Sequence, residues 1–183
     1  MPNVLVPLAQ GCEELEAVTV VDLLNRAGVT VVTAGLDDQP VQASHGVVLQ
    51  PQTTLDQVLD SEFDMIVLPG GLPGSDHLKN DARIQQMVKK MAADGRFVCA
   101  ICAAPTVLAS AGVLSGKRAT SYPGLLDKMN LPDVTYVADP VVRDGKVITS
   151  RGPGTAMDFA LELVEALMGR AKRDEVEAAL VRP

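Results

Sequence analysis

The sequence predicts an α/β fold, a mostly parallel sheet covered by helices on both faces. Short apolar runs alternate with amphipathic segments from one end of the chain to the other, the pattern of strands joined by helical crossovers. Glycines and prolines stand between these runs as punctuation. Composition agrees, because the 183 residues are 47% apolar yet only 3% aromatic. That length suits one well-buried core, so a single domain over residues 1–183 is expected, with no repeat, linker or low-complexity segment.

Taken in order, residues 4–9 form the first apolar run and read as a strand. Residues 13–27 follow as a helix, with Leu15, Val18, Leu23 and Leu24 among its apolar positions and Gly28 as its stop. A second strand is expected over residues 30–34, ending at Gly35, then a minor strand over 47–49 and a short helix over 55–59. Residues 65–68 are a buried strand that Pro69-Gly70-Gly71 interrupts, and 82–93 are helical with Gly95 beyond. Residues 97–101 make the next apolar strand. Ala103, Ala104 and Pro105 then open a helix that 106–111 continue and Gly112 ends. Residues 134–138, 141–143 and 146–149 carry a β signal, the last two joined by the Asp144-Gly145 turn. Thr155 is placed to cap a long helix reaching about Met168, and residues 174–180 read as a final short helix.

Charge and targeting signals narrow the function classes. A formal charge of −7 with no basic stripe argues against a nucleic-acid site, which needs clustered Lys and Arg to neutralise phosphates. Residues 1–8 enter a strand with no basic region or cleavage site, so no secretion signal is expected. No apolar run approaches the roughly 20 residues that span a bilayer. Three cysteines without a framework spacing fit a reducing compartment, and a cytoplasmic protein is expected.

Ligands of parallel sheets gather at the carboxyl ends of the strands, and four segments fall there: residues 10–16, 69–74, the elbow at Cys102, and 150–155. Cys102 stands where an apolar strand stops and a helix begins, as in the nucleophile elbow of hydrolases with Cys in place of Ser. Orphan helix N–H groups there are expected to favour thiolate. A histidine partner is not in view, since the chain holds only His45 and His77, both expected on exposed positions. Glu13, Glu14 and Glu16 remain; one could turn inward and stay protonated beside the sulfur, although spacing alone favours three solvated residues at a helix start. Pro69-Gly70-Gly71 is either a simple tight turn or, with the Ala103 amide, a pair of oxyanion donors.

Cys99 and Cys102 spell C-x-x-C, but an extended strand would separate their Cα atoms by about 10 Å, against a disulfide limit of roughly 7 Å. Cys99 is therefore expected in the core, and Cys12, in the first loop, is a conceivable accessible thiol. Histidines and cysteines are too few and scattered for a zinc set, and no P-loop lysine is present, so no metal or cofactor is expected. Gly152-Pro153-Gly154-Thr155 could hold an anion at a helix start but reads more simply as a rigid entry loop.

Together, residues 11–16, 68–71, 100–105 and 149–155 resemble the ThiJ/PfpI superfamily, most nearly its DJ-one branch, and the resemblance runs in order through almost the whole chain. It implies a flavodoxin-like three-layer sandwich and a homodimer with sites near the subunit interface. Carried residue by residue, it makes Cys102 the oxidation-prone nucleophile, Glu16 its protonated carboxyl partner, and Gly70, Gly71 and Ala103 the backbone donors. Arg26 matches an arginine near that site, and Tyr122 and Pro153 are further neighbours. Tyr122 stands where the branch has histidine and His45 where it has arginine, while Ala103 replaces the histidine of the protease-like branch, so peptidase activity is not expected. The implied function is a cofactor-independent glyoxalase or deglycase acting on glyoxal and methylglyoxal adducts of proteins or nucleotides. The alternative it implies is a redox sensor or chaperone that works through oxidation of Cys102 to sulfinate.

Overall fold

Eleven strands and six α-helices alternate along the computed structural model, which describes all of residues 1–183. In chain order these are β1 (Asn3–Leu8), α1 (Glu14–Arg26), β2 (Thr30–Gly35), β3 (Val41–Gln42), β4 (Val48–Leu49), β5 (Thr53–Thr54) and β6 (Met65–Leu68). Next come α2 (Gly74–Asn80), α3 (Ala82–Ala93), β7 (Phe97–Ile101), α4 (Pro105–Ser110), β8 (Arg118–Ala119) and β9 (Thr135–Tyr136). The chain closes with the hairpin β10 (Val141–Asp144) and β11 (Val147–Ser150), then α5 (Ala156–Met168) and α6 (Arg170–Ala179).

Seven strands form one sheet in the order β10-β11-β7-β6-β1-β2-β5, parallel throughout except for the β10–β11 pair. Parallel strands need crossovers, and the helices that supply them cover both faces, which is why the central strands are apolar at every position. Alternation along each strand divides the core in two. Val4, Val6, Val67, Cys99 and Ile101 point to one side with Leu23, Leu24, Phe159 and Leu163 of α1 and α5. Leu5, Ile66, Leu68, Val98 and Ala100 point to the other with Ile84, Val88, Val107 and Leu108 of α3 and α4. The result is a flavodoxin-like three-layer α/β sandwich. None of its helices is long and apolar enough to cross a membrane.

Several elements differ from the sequence expectation, each for a local reason. Leu15 and Val18 face outward, 49% and 50% exposed, while Glu16, Ala17 and Val20 take the buried side of α1. Residues 55–59 are a 3-10 turn, Leu55–Val58, and the β signal over 134–138 reduces to Thr135–Tyr136 beside Arg118–Ala119. The helix α2 was not expected, because Gly74, Ser75 and Leu78 bury one side of it without an apolar period. The last helix, α6, begins four residues before the expected 174, directly after Gly169 turns the chain at φ 86°. Thr155 does not cap α5 through its side chain; its Oγ1 instead accepts from Gly152 N at 3.1 Å and meets Ser150 Oγ at 2.7 Å.

Phe159 is the largest fully buried side chain and fills the layer between α1, α5 and the sheet. Phe159→Ala is expected to lower the unfolding free energy by about 3–5 kcal/mol, read from the denaturant midpoint, because the cavity it leaves is bounded on all sides. A loss under about 1 kcal/mol would contradict that packing.

Candidate active site

Parallel register brings the carboxyl ends of four strands to one edge. Leu68 pairs with Ala100 and Ile101 with Ser150, so the loops after β6, β7 and β11 start side by side, and the loop after β1 joins them. At this edge Cys102 adopts φ 66°, a left-handed conformation that costs a non-glycine residue about 1–2 kcal/mol. Its backbone is pinned from both sides. The Cys102 amide donates to Ser150 O at 3.0 Å, and the Tyr122 amide donates to Cys102 O at 2.8 Å. The strained turn holds the side chain above the sheet edge.

Glu16 meets that thiol from below. It lies in α1, fully buried, and its Oε2 accepts from the Gly70 amide at 2.8 Å. Its other oxygen, Oε1, is buried without a hydrogen-bond partner, and the Glu16 charge acts directly on the Cys102 thiol. The approach is close enough that a Cβ on Gly70 would stand 2.5 Å from Cys102 Cβ and 2.7 Å from Glu16 Oε2. Only glycine fits there. Gly71, at φ 89°, is pressed in the same way against the backbone of residues 11–13. The Gly-Gly pair is therefore a packing requirement of the site as well as a turn.

The amides divide differently from the sequence expectation. Gly71 and Ala103 direct their N–H groups at the Cys102 sulfur, whereas the Gly70 N–H is taken by Glu16 and is not available as an oxyanion donor. Tyr122 lies beside the elbow, its ring 3.3 Å from the position of a Cβ on Gly152, which brings the loop holding Pro153 alongside. Arg26 is not brought in. It sits in the last turn of α1, exposed and 2.6 Å from Asp22, ten residues and so about 15 Å along the helix from Glu16 of its own chain. Two contributors had no sequence signal: the Ser150 carbonyl, and the Gly70 carbonyl that accepts from Glu13 N at 2.8 Å and ties the first loop to the second.

Burial dominates the electrostatics. It raises the Glu16 carboxyl to about 7, against the pull of the Gly70 hydrogen bond and the neighbouring Cys102 thiol. Burial and then the Glu16 charge push the Cys102 thiol up to about 12, outweighing the Gly71 and Ala103 amides. A thiol lowered by a helix start alone is thus replaced by a thiol–carboxyl pair. Helix α4 begins only at Pro105, three residues past the sulfur, and its start does not offset the burial that holds Cys102 as the thiol, so the expected thiolate is not the resting form. Cys12 and Cys99 are buried, and burial raises both thiols, Cys12 to about 12; the expected accessible thiol in the first loop is not accessible. Both histidines are exposed. A cleft of about 500 Å³ between residues 59–63 and α3 lies at the amino ends of the strands and holds none of these groups.

The family pattern described as DJ-1/PfpI matches residues 2–166. The chain belongs to the DJ-1/PfpI family. Among its DJ-1 relatives, dj-1beta of Drosophila melanogaster is 45% identical over 181 residues, covering 98% of this chain and 96% of its own. The crystal structure of that relative superposes with a TM-score of 0.95 at 44% identity, over 100% of this chain and 98% of that one. DJ-1 homolog A of Arabidopsis thaliana is 46% identical over 98% of this chain, which spans only 46% of that longer relative. A Caenorhabditis elegans DJ-1/PfpI relative named glutathione-independent glyoxalase DJR-1.2 is 38% identical over 167 residues, 91% of this chain and 89% of its own.

Glu16 ties stability to pH with a definite sign. Its folded value, about 7, lies above the ordinary 4.5, so its contribution is fully present below pH 4.5 and is lost as pH rises through 7. Over that window the wild type is expected to lose about 3 kcal/mol relative to Glu16→Gln, at about 1.4 kcal/mol per unit. Parallel unfolding curves for the two proteins from pH 4.5 to 7 would show that Glu16 ionises freely in the folded state.

Proposed function

We propose that this chain is a cysteine-dependent, cofactor-independent glyoxalase whose substrates are small dicarbonyls such as methylglyoxal. The observation that carries the reading is a fully buried carboxyl packed with the one thiol that is not buried against Gly70, with the Gly71 and Ala103 amides drawing on the sulfur. A thiolate at Cys102 adds to the aldehyde carbon, and the new alkoxide takes up a proton to give a thiohemiacetal. Glu16, as carboxylate, removes the proton from that carbon and returns it to the neighbouring carbonyl carbon, while the hydroxyl proton of the thiohemiacetal passes to that carbonyl's oxygen. The net result is an internal redox step in which one carbon is oxidised and its neighbour reduced, leaving a 2-hydroxy thioester. Water then cleaves the C–S bond, releasing a 2-hydroxy acid and the thiol. Gly71 and Ala103 amides hold the oxyanion of each addition.

Early hemiaminal adducts on proteins or nucleotides offer the same carbon to the same sulfur, so deglycation follows from the chemistry if the adduct reaches the elbow. The relative named as a glutathione-independent glyoxalase supports the reading. It takes residues 1–183 as one domain and the working unit as a homodimer, for which the exposed Leu15 and Val18 of α1 offer a face. A redox-sensing role is the second reading, favoured by one observation: of three thiols only Cys102 is open to peroxide. There thiolate attack on one peroxide would give sulfenate and water, and a second peroxide would give sulfinate.

Methylglyoxal loss and 2-hydroxy acid formation separate the readings. Cys102→Ser should fall to background and Glu16→Ala by about 10²–10⁴-fold in kcat; unchanged turnover in Cys102→Ser removes the enzyme reading. Under limiting peroxide, mass spectrometry should find Cys102 oxidised before Cys12 and Cys99. The opposite order removes the sensor.

A further inference from the structure

The left-handed turn at Cys102 leans on a carbonyl at the very end of a strand. The Cys102 amide donates to Ser150 O at 3.0 Å, and Ser150 is the last residue of β11, paired with Ile101 of β7 on one side and Val141 of β10 on the other. Directly after it the chain leaves the sheet, with Gly152 fully extended at φ 171°. On that side Ser150 is fixed through its own hydroxyl. Ser150 is fully buried, and its Oγ donates to Pro140 O at 2.7 Å and lies 2.7 Å from Thr155 Oγ1. Thr155 Oγ1 in turn accepts from Gly152 N at 3.1 Å and lies 3.0 Å from Gly152 O.

Proton accounting gives these contacts a direction. Oxygens 2.7 Å apart need a proton between them, and each hydroxyl has one to give. Were the Thr155 proton spent on Gly152 O, the single Ser150 proton could fill only one of the two short gaps. Gly152 O does not require it, because it already accepts from Thr155 N at 3.0 Å. The arrangement that fills both gaps runs from Gly152 N–H to Thr155 Oγ1, from Thr155 O–H to Ser150 Oγ, and from Ser150 O–H to Pro140 O. Donors in series polarise one another, so the relay acts as a unit. It joins the extended Gly152, the end of β11 and the residue before β10 around the carbonyl that receives the Cys102 amide.

We propose that Thr155 is a positioning residue for the nucleophile, acting through Ser150. Its hydroxyl supplies the hydrogen bond that reaches Ser150 from the loop after β11, and its branched side chain restricts rotation, which keeps Oγ1 turned back toward the strand end. A strained backbone persists only where its surroundings over-determine it. With the Ser150 carbonyl free to shift, the turn at Cys102 relaxes, and the sulfur leaves the place where Gly71, Ala103 and Glu16 act on it. The expected consequence is slower addition by the thiol rather than weaker binding of substrate. That effect on turnover rests on the cysteine-dependent reading above; the effect on the turn itself does not.

Amide hydrogen exchange, followed by NMR on the full chain without substrate, tests the turn directly. Thr155→Val removes the hydroxyl and keeps the branched shape. It is expected to lower protection of the Cys102 amide by about 3–10-fold, the weight of one hydrogen bond, while the amides of Val4, Leu5 and Val6 in β1 keep wild-type protection. Thr155→Ser retains the hydroxyl and should restore protection at Cys102. Unchanged protection in Thr155→Val, an equal loss throughout β1, or a Thr155→Ser variant as unprotected as Thr155→Val overturns the proposal. If Thr155→Val does not fold, Ser150→Ala, which cuts the relay at its middle and leaves the main-chain carbonyl, should show the same selective loss; its absence overturns the proposal equally. In methylglyoxal turnover, Thr155→Val should lower kcat by about 10-fold with KM nearly unchanged. A wild-type chain without turnover removes the enzyme reading alone, because the exchange readout needs no activity.

Discussion

The Gly70 amide donates to Glu16 Oε2 at 2.8 Å, and the geometry of the thiol site depends on that bond. A carboxyl at the base of a nucleophile must be held out of water yet kept in reach of the sulfur. Here a backbone N–H does the holding, from a residue without a side chain, because any Cβ at that place would overlap Cys102 and Glu16. The loop after β6 is then committed. With its first amide turned to Glu16, the next, from Gly71, is the one that faces the sulfur beside Ala103. A turn motif common to many folds becomes specific through what presses on it.

Rigid support for that contact comes from the sheet. Strands β11, β7, β6 and β1 are buried on both faces and in parallel register, so their carboxyl ends cannot slide relative to one another without exposing a row of apolar side chains. The left-handed backbone at Cys102 is affordable in this frame because hydrogen bonds from β11 and from Tyr122 fix it on both sides. Packing thus supplies the conformation, and the conformation presents the sulfur.

Burial also shapes the chemistry of the edge. Glu13, Glu14 and Glu16 lie within one turn and a quarter of helix start, all largely buried, yet they meet three different fates. Glu16 faces the sulfur and is raised toward neutrality. Glu14 is lowered by amides from the 43–47 loop despite desolvation, and Glu13 caps the helix through Leu15 N. One helix start therefore serves a thiol–carboxyl pair on its inner side and an anionic cluster on its outer side.

Local pattern determined much of this protein. Residues 65–68 and 97–101 were legible as strands because two-sided burial makes an unbroken apolar run, and the Cys102 elbow was legible because such a run stops at a proline-started helix. The four ordered motifs were enough to indicate the family. Helix α2 was not legible, since it is held by close backbone approach to residues 11–12 and not by an apolar stripe. Nor could spacing tell that Leu15 and Val18 face outward, that Gly70 serves Glu16 while Gly71 serves the sulfur, or that Arg26 stands a helix length away. The Glu13–Glu14–Ser44–His45 cluster left no motif at all. Its members meet across 31 positions of sequence, and Gly70 meets Glu16 across 54. Sequence records which groups are present and their local periodicity; which of them touch is decided by strand register and loop closure, and these exist only in the folded chain.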